Sequence, residues 1–542
     1  MLNPASLSVP PKTVAPSSPG IVRAKQAEAW LAQLPVTNPA EAAKRLYQSL
    51  RALNRAHVEP ASRLEVMELY APIALSLDEA LQAHLQRVAL PLNFRQKQLA
   101  DFLRQFATEM AYGYKAVLHD VLAERGQLKK EWLPRVVERS LRYLAQVVLR
   151  SYAVYMPVPA GIWREAHTLY EYAEALGRER ETVSPLIPAE GAASVARRYQ
   201  AMLLLGLSGP YQQPTGEIRH VNRFLDVWAD KAQLTPVLAS ADSIGHFVVD
   251  LYSDTPPVAY TGEPLAANTA LRMLNAAPVA SAAHALLTRV QKGESVRVAP
   301  GIECVGDACT GMLRRMVKFW GLSAKRQFSR FKKTAPLQIC FGINALHFFA
   351  NGERPFSPPD NPTDIDQAYI DLDVAPVDAP PQLAAPILRG PETFRVQTWT
   401  VRDESASGFS IHHEGELEAH VHVGEAIGVR DEEGIWRVGI VRWAKSAEST
   451  SVEMGVEMLA PLVQPVAVKT ADKDARYSQA LLLPAVAALR KPATLLLPPR
   501  MFRANAPLYL VEDENFRELR LIALVERTGA FDQVAFADLR RD

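Results

Sequence analysis

Across 542 residues the chain sets 60 Lys and Arg against 59 Asp and Glu, a formal net charge of +1, so no overall field calls for nucleic acid or a membrane surface as partner. That length suggests about three or four domains, and a 48% hydrophobic share with 22% charged residues is enough for ordinary buried cores. Three cysteines (Cys304, Cys309, Cys340) make neither a disulfide framework nor a paired zinc motif, and their odd number fits a reducing compartment.

The opening MLNPASLSVPPKTVAPSSPG has no basic start and no apolar stretch, so residues 1–22 are expected to be a disordered Pro/Ser leader rather than a signal peptide. Residues 23–233 read as a helical domain. Leu99, Leu103, Phe106, Met110, Tyr114, Val117 and Val121 step by three or four, as do Val137, Leu141, Leu144 and Val148, and that spacing puts each set on one helix face. Several such helices imply a bundle or an array. Residues 234–320 form a mixed α/β connecting region, with HFVVDLY as a strand, LRMLNAAPVASAAHALLTRVQKG as a helix and GMLRRMVKFWG as a last short helix.

From 321 onward the pattern turns to short β-branched and aromatic runs: PLQICFGI, FRVQTWTV, WRVGIVRW, MGVEML, APLYLVED and LRLIALVE. Such runs between Gly, Asp, Asn and Glu turns predict small antiparallel barrels. A Pro- and Asp-rich insertion at about 351–390 interrupts them, holding Glu353, Asp360, Asp364, Asp366, Asp371, Asp373 and Asp378. No apolar run reaches the ~18 residues of a membrane-spanning helix, and a cytoplasmic protein is expected.

Enzyme signatures fail one by one. Gly306 and Gly311 have phosphate-loop spacing, but Met312 and Leu313 stand where Lys and Ser or Thr must hold phosphate and metal. In HHEGELEAHVH, Leu417 occupies the place of the second zinc histidine. His420 and His422 are read on one strand face, leaving a metal-dependent enzyme built on His412–His422 as a weak third reading. The two EAL tripeptides, Glu79–Leu81 and Glu174–Leu176, sit in Ala/Leu-rich helical sequence without metal-binding carboxylates. No catalytic residue and no metal ligand is assigned.

Two short motifs stand apart. Five Lys or Arg fall within the nine positions 325–333, with Arg326 and Arg330 four apart in RQFSR. Alone, this is a basic linker between domains. Downstream, Asp403, Ser405 and Gly408 form D-x-S-x-x-G in VRDESASGFSI, which alone is an ordinary Asx turn between strands. Together and in order, RxxxR, a strand, DxSxxG, then WRVGIVRW and EMGVEML resemble the PilZ domain over residues 321–462.

The resemblance implies an antiparallel six-stranded β-barrel that is a bacterial signalling receptor for the second messenger cyclic di-GMP, with Arg326, Arg330, Asp403, Ser405 and Gly408 touching the ligand. The chemistry agrees with that assignment. Guanidinium forks suit guanine O6 and N7 or a phosphate oxygen pair, and they can stack on a base. Asp403 accepts from guanine N1–H and N2–H. Ser405 donates to a phosphate or braces the turn, and Gly408 permits a positive-φ turn or close ligand approach. One departure is the long separation of Arg330 from Asp403, across the acidic insertion, which is read as a loop that lies over RQFSR until ligand displaces it, or as a solvated loop.

Residues 463–542 read as a second small β-domain with no ligand motif, loosely resembling the non-binding barrel of flagellar brake proteins or a degenerate PilZ copy. The expected whole is a multidomain α + β receptor: an N-terminal helical bundle or array, a PilZ-type barrel and a small β-domain. It needs no cofactor, and its partners are cyclic di-GMP and a protein bound by the helical half, with no DNA or RNA. Whether that protein is a second copy, in a homodimer, is left open. Binding at the RxxxR hinge is expected to shift the barrel against the helical half. The alternative is a non-catalytic, chaperone-like scaffold whose PilZ fold no longer binds nucleotide.

Overall fold

The computed structural model describes the chain except residues 1–5, 14–20, 87, 124–128, 188–190, 237–242, 264, 266–268, 300, 322–329, 360–393, 416, 432, 449, 473–474, 487–490, 513–514 and 540–542. The chain divides into two compact units, Met1–Gln327 with Lys445–Ser449, and Phe328–Ala444 with Thr450–Asp542.

The first unit is mainly helical. Phe94–Leu122 starts at a capping box, in which the Asn93 side chain accepts from the Gln96 amide (2.9 Å) and the Gln96 side chain from the Asn93 amide (3.2 Å), so two otherwise orphaned donors are satisfied. Its expected face is buried at Leu103, Phe106, Met110, Tyr114 and Val117. Gly113 lets the helix Pro60–Gln82 approach, since a Cβ there would lie 2.4 Å from the Met67 thioether. Leu133–Tyr152 buries Val137, Leu141, Leu144 and Val148 as its periodicity predicts. It also buries Glu138, whose carboxylate accepts from Arg139 Nη1 (2.6 Å) and Arg198 Nε (2.9 Å). Burial alone would raise the pKa of Glu138, but the guanidinium charges of Arg142, Arg198 and Arg139 outweigh it and hold the pKa at about 2.

Three expectations for this unit are corrected. The leader is laid down over residues 6–13: Leu7 is buried, the Ser8 amide donates to Glu165 Oε1 (2.7 Å) and the Thr13 amide to the Arg55 carbonyl (3.0 Å). One apolar residue and spare backbone donors suffice to dock so short a segment. Leu271–Asn275 is a strand, and the helix begins only at Ala277. That strand completes a four-stranded antiparallel sheet with Gln233–Pro236, His246–Asp250 and Val258–Ala259. Cys304 and Cys309, expected to be unpaired, form a disulfide with Cα atoms 5.5 Å apart, because the turn before the helix Gly306–Gly321 folds them together.

The second unit holds two closed barrels. Strands β1 (Phe331–Lys332), β2 (Pro336–Phe341), β3 (Gln397–Ser405), β4 (Gly408–Glu414), β5 (Ala426–Arg430), β6 (Trp436–Glu448) and β7 (Ser451–Ala460) make the first. The ladder β4-β7-β6-β5-β2-β3 is closed by β3–β4 pairing, and β1 is added on β3. Six strands leave room only for side chains, here Trp399, Ile411, Met454 and Val456.

The second barrel runs in spatial order β8 (Gln464–Thr470), β9 (Ser478–Leu483), β10 (Thr494–Leu497), β13 (Asp532–Asp538), β12 (Asn515–Arg527) and β11 (Pro507–Glu512). Between the barrels Ile343 and Leu346, from the helix Ile343–Ala350, join Val438 and Ile440 of the first and Leu481, Leu496 and Phe531 of the second in one core.

Candidate functional site

The hairpin joining β3 to β4 carries the DxSxxG residues. Ser405 and Gly408 are Cα partners across it, and Ser405 Oγ donates to the Gly408 carbonyl (3.0 Å). Ser405 therefore braces its own turn, the second of the two roles its position allowed. Of the two reasons for glycine at 408, the positive-φ turn does not hold, since Gly408 does not adopt positive φ. A Cβ there would lie 2.0 Å from the Val456 carbonyl oxygen of β7, so glycine is required by the neighbouring strand's backbone.

Just before the hairpin the β3–β4 register shifts between Ser410 and Ile411, which face Asp403 and Val401. Arg402 is thus the extra residue of a β-bulge, a device that re-aims the side chains beside it. Asp403 is left partly exposed, and Arg330 Nη1 donates to its Oδ1 at 3.0 Å. Two residues read as ligand-binding from separate motifs are thereby brought together across 73 positions.

The contact depends on β1, where Phe331 faces Glu404 and Lys332 faces Asp403 in the ladder. Lys333 Nζ adds an ion pair to Glu404 Oε2 at 2.8 Å. Arg326 and the insertion acids other than Glu353 lie outside the described residues.

Neighbours that sequence reasoning passed over complete the surface. Ser410 pairs in register with both Asp403 and Gly455. Its Oγ is buried and has no hydrogen-bond partner. The Trp443 indole lies across Gly455, where a Cβ would meet Nε1 at 1.9 Å. Strand alternation was the available signal, since Ser410 follows Gly408 by two and shares its face.

The histidines do not make a metal centre. His412 and His413 donate from Nδ1 to the carbonyls of Thr400 (3.2 Å) and Thr398 (3.0 Å), and His420 and His422 are not in a strand. Among the described residues, no group of three or more His, Cys, Asp or Glu is placed to hold a metal ion. Nor is any described helix long and apolar enough to cross a membrane.

Residues 25–239 match the N-terminal domain of the cyclic-di-GMP receptor FimW, residues 246–368 and 388–465 its middle PilZ domain, and residues 464–539 the FimW C-terminal β-barrel domain. The break in the middle match falls inside the Pro/Asp-rich insertion. The cyclic-di-GMP receptor FimW of Pseudomonas aeruginosa (strain PAO1) is 26% identical over 552 residues, covering 94% of this chain and 90% of the relative. No solved structure matches the chain. With three consecutive domains matched in order and a closed barrel bearing the DxSxxG hairpin, the chain belongs to the PilZ-domain family, in the three-part form that the FimW domains describe.

Proposed function

We propose that this chain is a non-catalytic receptor for cyclic di-GMP, which binds on the first barrel between Arg326, Arg330, Asp403, Ser405 and Gly408. The observation that carries the reading is the meeting of Arg330 with Asp403 beside the DxSxxG hairpin. Guanidinium and carboxylate together match a ligand with phosphates and guanine edges. Arg330 takes a phosphate or the O6/N7 edge, and Asp403 accepts from N1–H and N2–H. The P. aeruginosa relative's name as a cyclic-di-GMP receptor supports the same ligand. Ser405 and Gly408 then act mainly by fixing the hairpin that presents Asp403.

The chain passes from its first unit to its second between Gln327 and Phe328, inside the RQFSR motif. That position supports a receptor in which occupancy changes the arrangement of the two units and so a protein-binding surface of the helical one. Such coupling requires the ligand to bind one arrangement more tightly than the other.

The same ion pair also favours a second reading, a scaffold in which Arg330 and Asp403 serve only each other. Calorimetric titration of cyclic di-GMP into wild type, Arg326→Ala, Arg330→Ala and Asp403→Ala separates the two. A receptor binds, and each variant loses about ten- to a hundredfold in affinity, as for a charged hydrogen bond of roughly 1.5–3 kcal/mol. A wild type that does not bind is a scaffold. X-ray scattering on the same samples tests the coupling, and overlaid curves with and without ligand would refute it.

A further inference from the structure

We propose that the Arg330–Asp403 ion pair is a latch, closed in the absence of ligand and held by a strut outside the ligand motifs, Lys333–Glu404. The proposal rests on the receptor reading and concerns how that site is regulated.

The two-residue strand β1 buries nothing: both of its residues are exposed, Phe331 to 72%. What ties it to β3 is polar. It has two in-register pairs, the Lys333 amide donating to the Arg402 carbonyl at 3.3 Å, and the two ion pairs on either side. Segments held by exposed polar contacts without apolar burial are the ones that open locally at low cost. Both ion pairs are within reach of solvent, with side-chain exposures of 38% and 28% for Arg330 and Asp403, and 52% and 48% for Lys333 and Glu404.

The latch follows from competition for the same groups. Asp403 needs its oxygens for guanine N–H donors, and Arg330 needs its fork for phosphate or a guanine edge. Ligand therefore exchanges an internal ion pair for charge-assisted contacts of each partner with the ligand, rather than adding contacts to free groups. Closing the latch lowers apparent affinity by the fraction of chains in which it is open. Lys333 and Glu404 set that fraction without belonging to RxxxR or DxSxxG.

The test is titration of cyclic di-GMP into the full chain carrying Glu404→Gln or Lys333→Met, beside wild type. Each variant breaks the strut, but one removes an anion near the dianionic ligand and the other a cation. A latch predicts that affinity rises in both by about two- to fivefold, the range of an exposed ion pair. It also predicts faster exchange of the residue 333 backbone amide in both ligand-free variants. Affinities that move in opposite directions would show simple charge effects and overturn the latch, as would no change in either. If wild type itself does not bind, the receptor reading fails and the latch falls with it.

Discussion

Two of the Arg–Asp pairs in the second unit, one from each barrel, are built differently. In the second barrel Asp532 is fully buried. Arg527 grips it with Nε (2.8 Å) and Nη2 (3.0 Å), and the Phe502 amide donates to the same carboxylate at 3.0 Å. In the first barrel Asp403 takes a single contact from Arg330, and both side chains reach solvent. A carboxylate whose acceptors are satisfied in a dry site holds a fold together, and removing one partner strands the other. A half-exposed, one-contact pair is available for exchange with a ligand. The contrast fits a structural role for the Arg527–Asp532 pair and, on the proposed receptor reading, a ligand-exchanging role for Arg330–Asp403.

The sharpest way to break that contrast is Asp532→Ala. It removes the buried acceptor of the Phe502 amide and of Arg527, whose own side chain is 22% exposed, so the cost is at most that of breaking a fully buried pair, about 3–5 kcal/mol. Calorimetric unfolding should show it, while any surviving folded protein keeps its affinity for cyclic di-GMP. A loss smaller than about 1 kcal/mol would mean that the burial of Asp532 is not what stabilises the barrel.

Gly408→Ala comes next and touches both roles. Its Cβ meets a backbone oxygen, which cannot rotate away as a flexible side chain would. β4 or β7 must therefore shift, at about 1–3 kcal/mol for an overpacked site. The hairpin presenting Asp403 shifts with it. Unfolding temperature and ligand affinity should fall together, whereas a variant losing affinity at unchanged stability would return Gly408 to the role of direct ligand contact.

How much of this was legible in the sequence depended on distance along the chain. Helix faces were legible because the step of three or four is local: Leu103, Phe106, Met110, Val137 and Leu141 all point inward. The strand reading PLQICFGI takes in Ile343, and the rest of the helix Ile343–Ala350 goes unread, since its mostly apolar residues show no contrast between faces. The motif residues could be named, and for Ser405 one of two stated roles matches its hydrogen bond to Gly408, but the contacts of Gly408, Arg330 and Asp403 could not. Nothing local states that Val456 crowds Gly408, or that Arg330 reaches Asp403 across the insertion. Those facts come from strand pairing, which sequence spacing does not encode. The Lys333–Glu404 strut was hidden for the same reason, although a basic run and the acids of RDES were both in plain view.

The smallest expected effect completes the comparison. Asp403→Ala removes a carboxylate that stabilises the ligand-free barrel only through one exposed ion pair, worth roughly 0.2–1 kcal/mol. Arg330, partly exposed, returns to water rather than being stranded in the interior, so no desolvation cost adds to the loss. Unfolding should thus lie within about 1 kcal/mol of wild type, in the same variant whose ligand affinity falls ten- to a hundredfold. A variant of Asp403 as unstable as Asp532→Ala would make the two pairs alike, and Asp403 would then be a structural residue whose effect on binding is indirect.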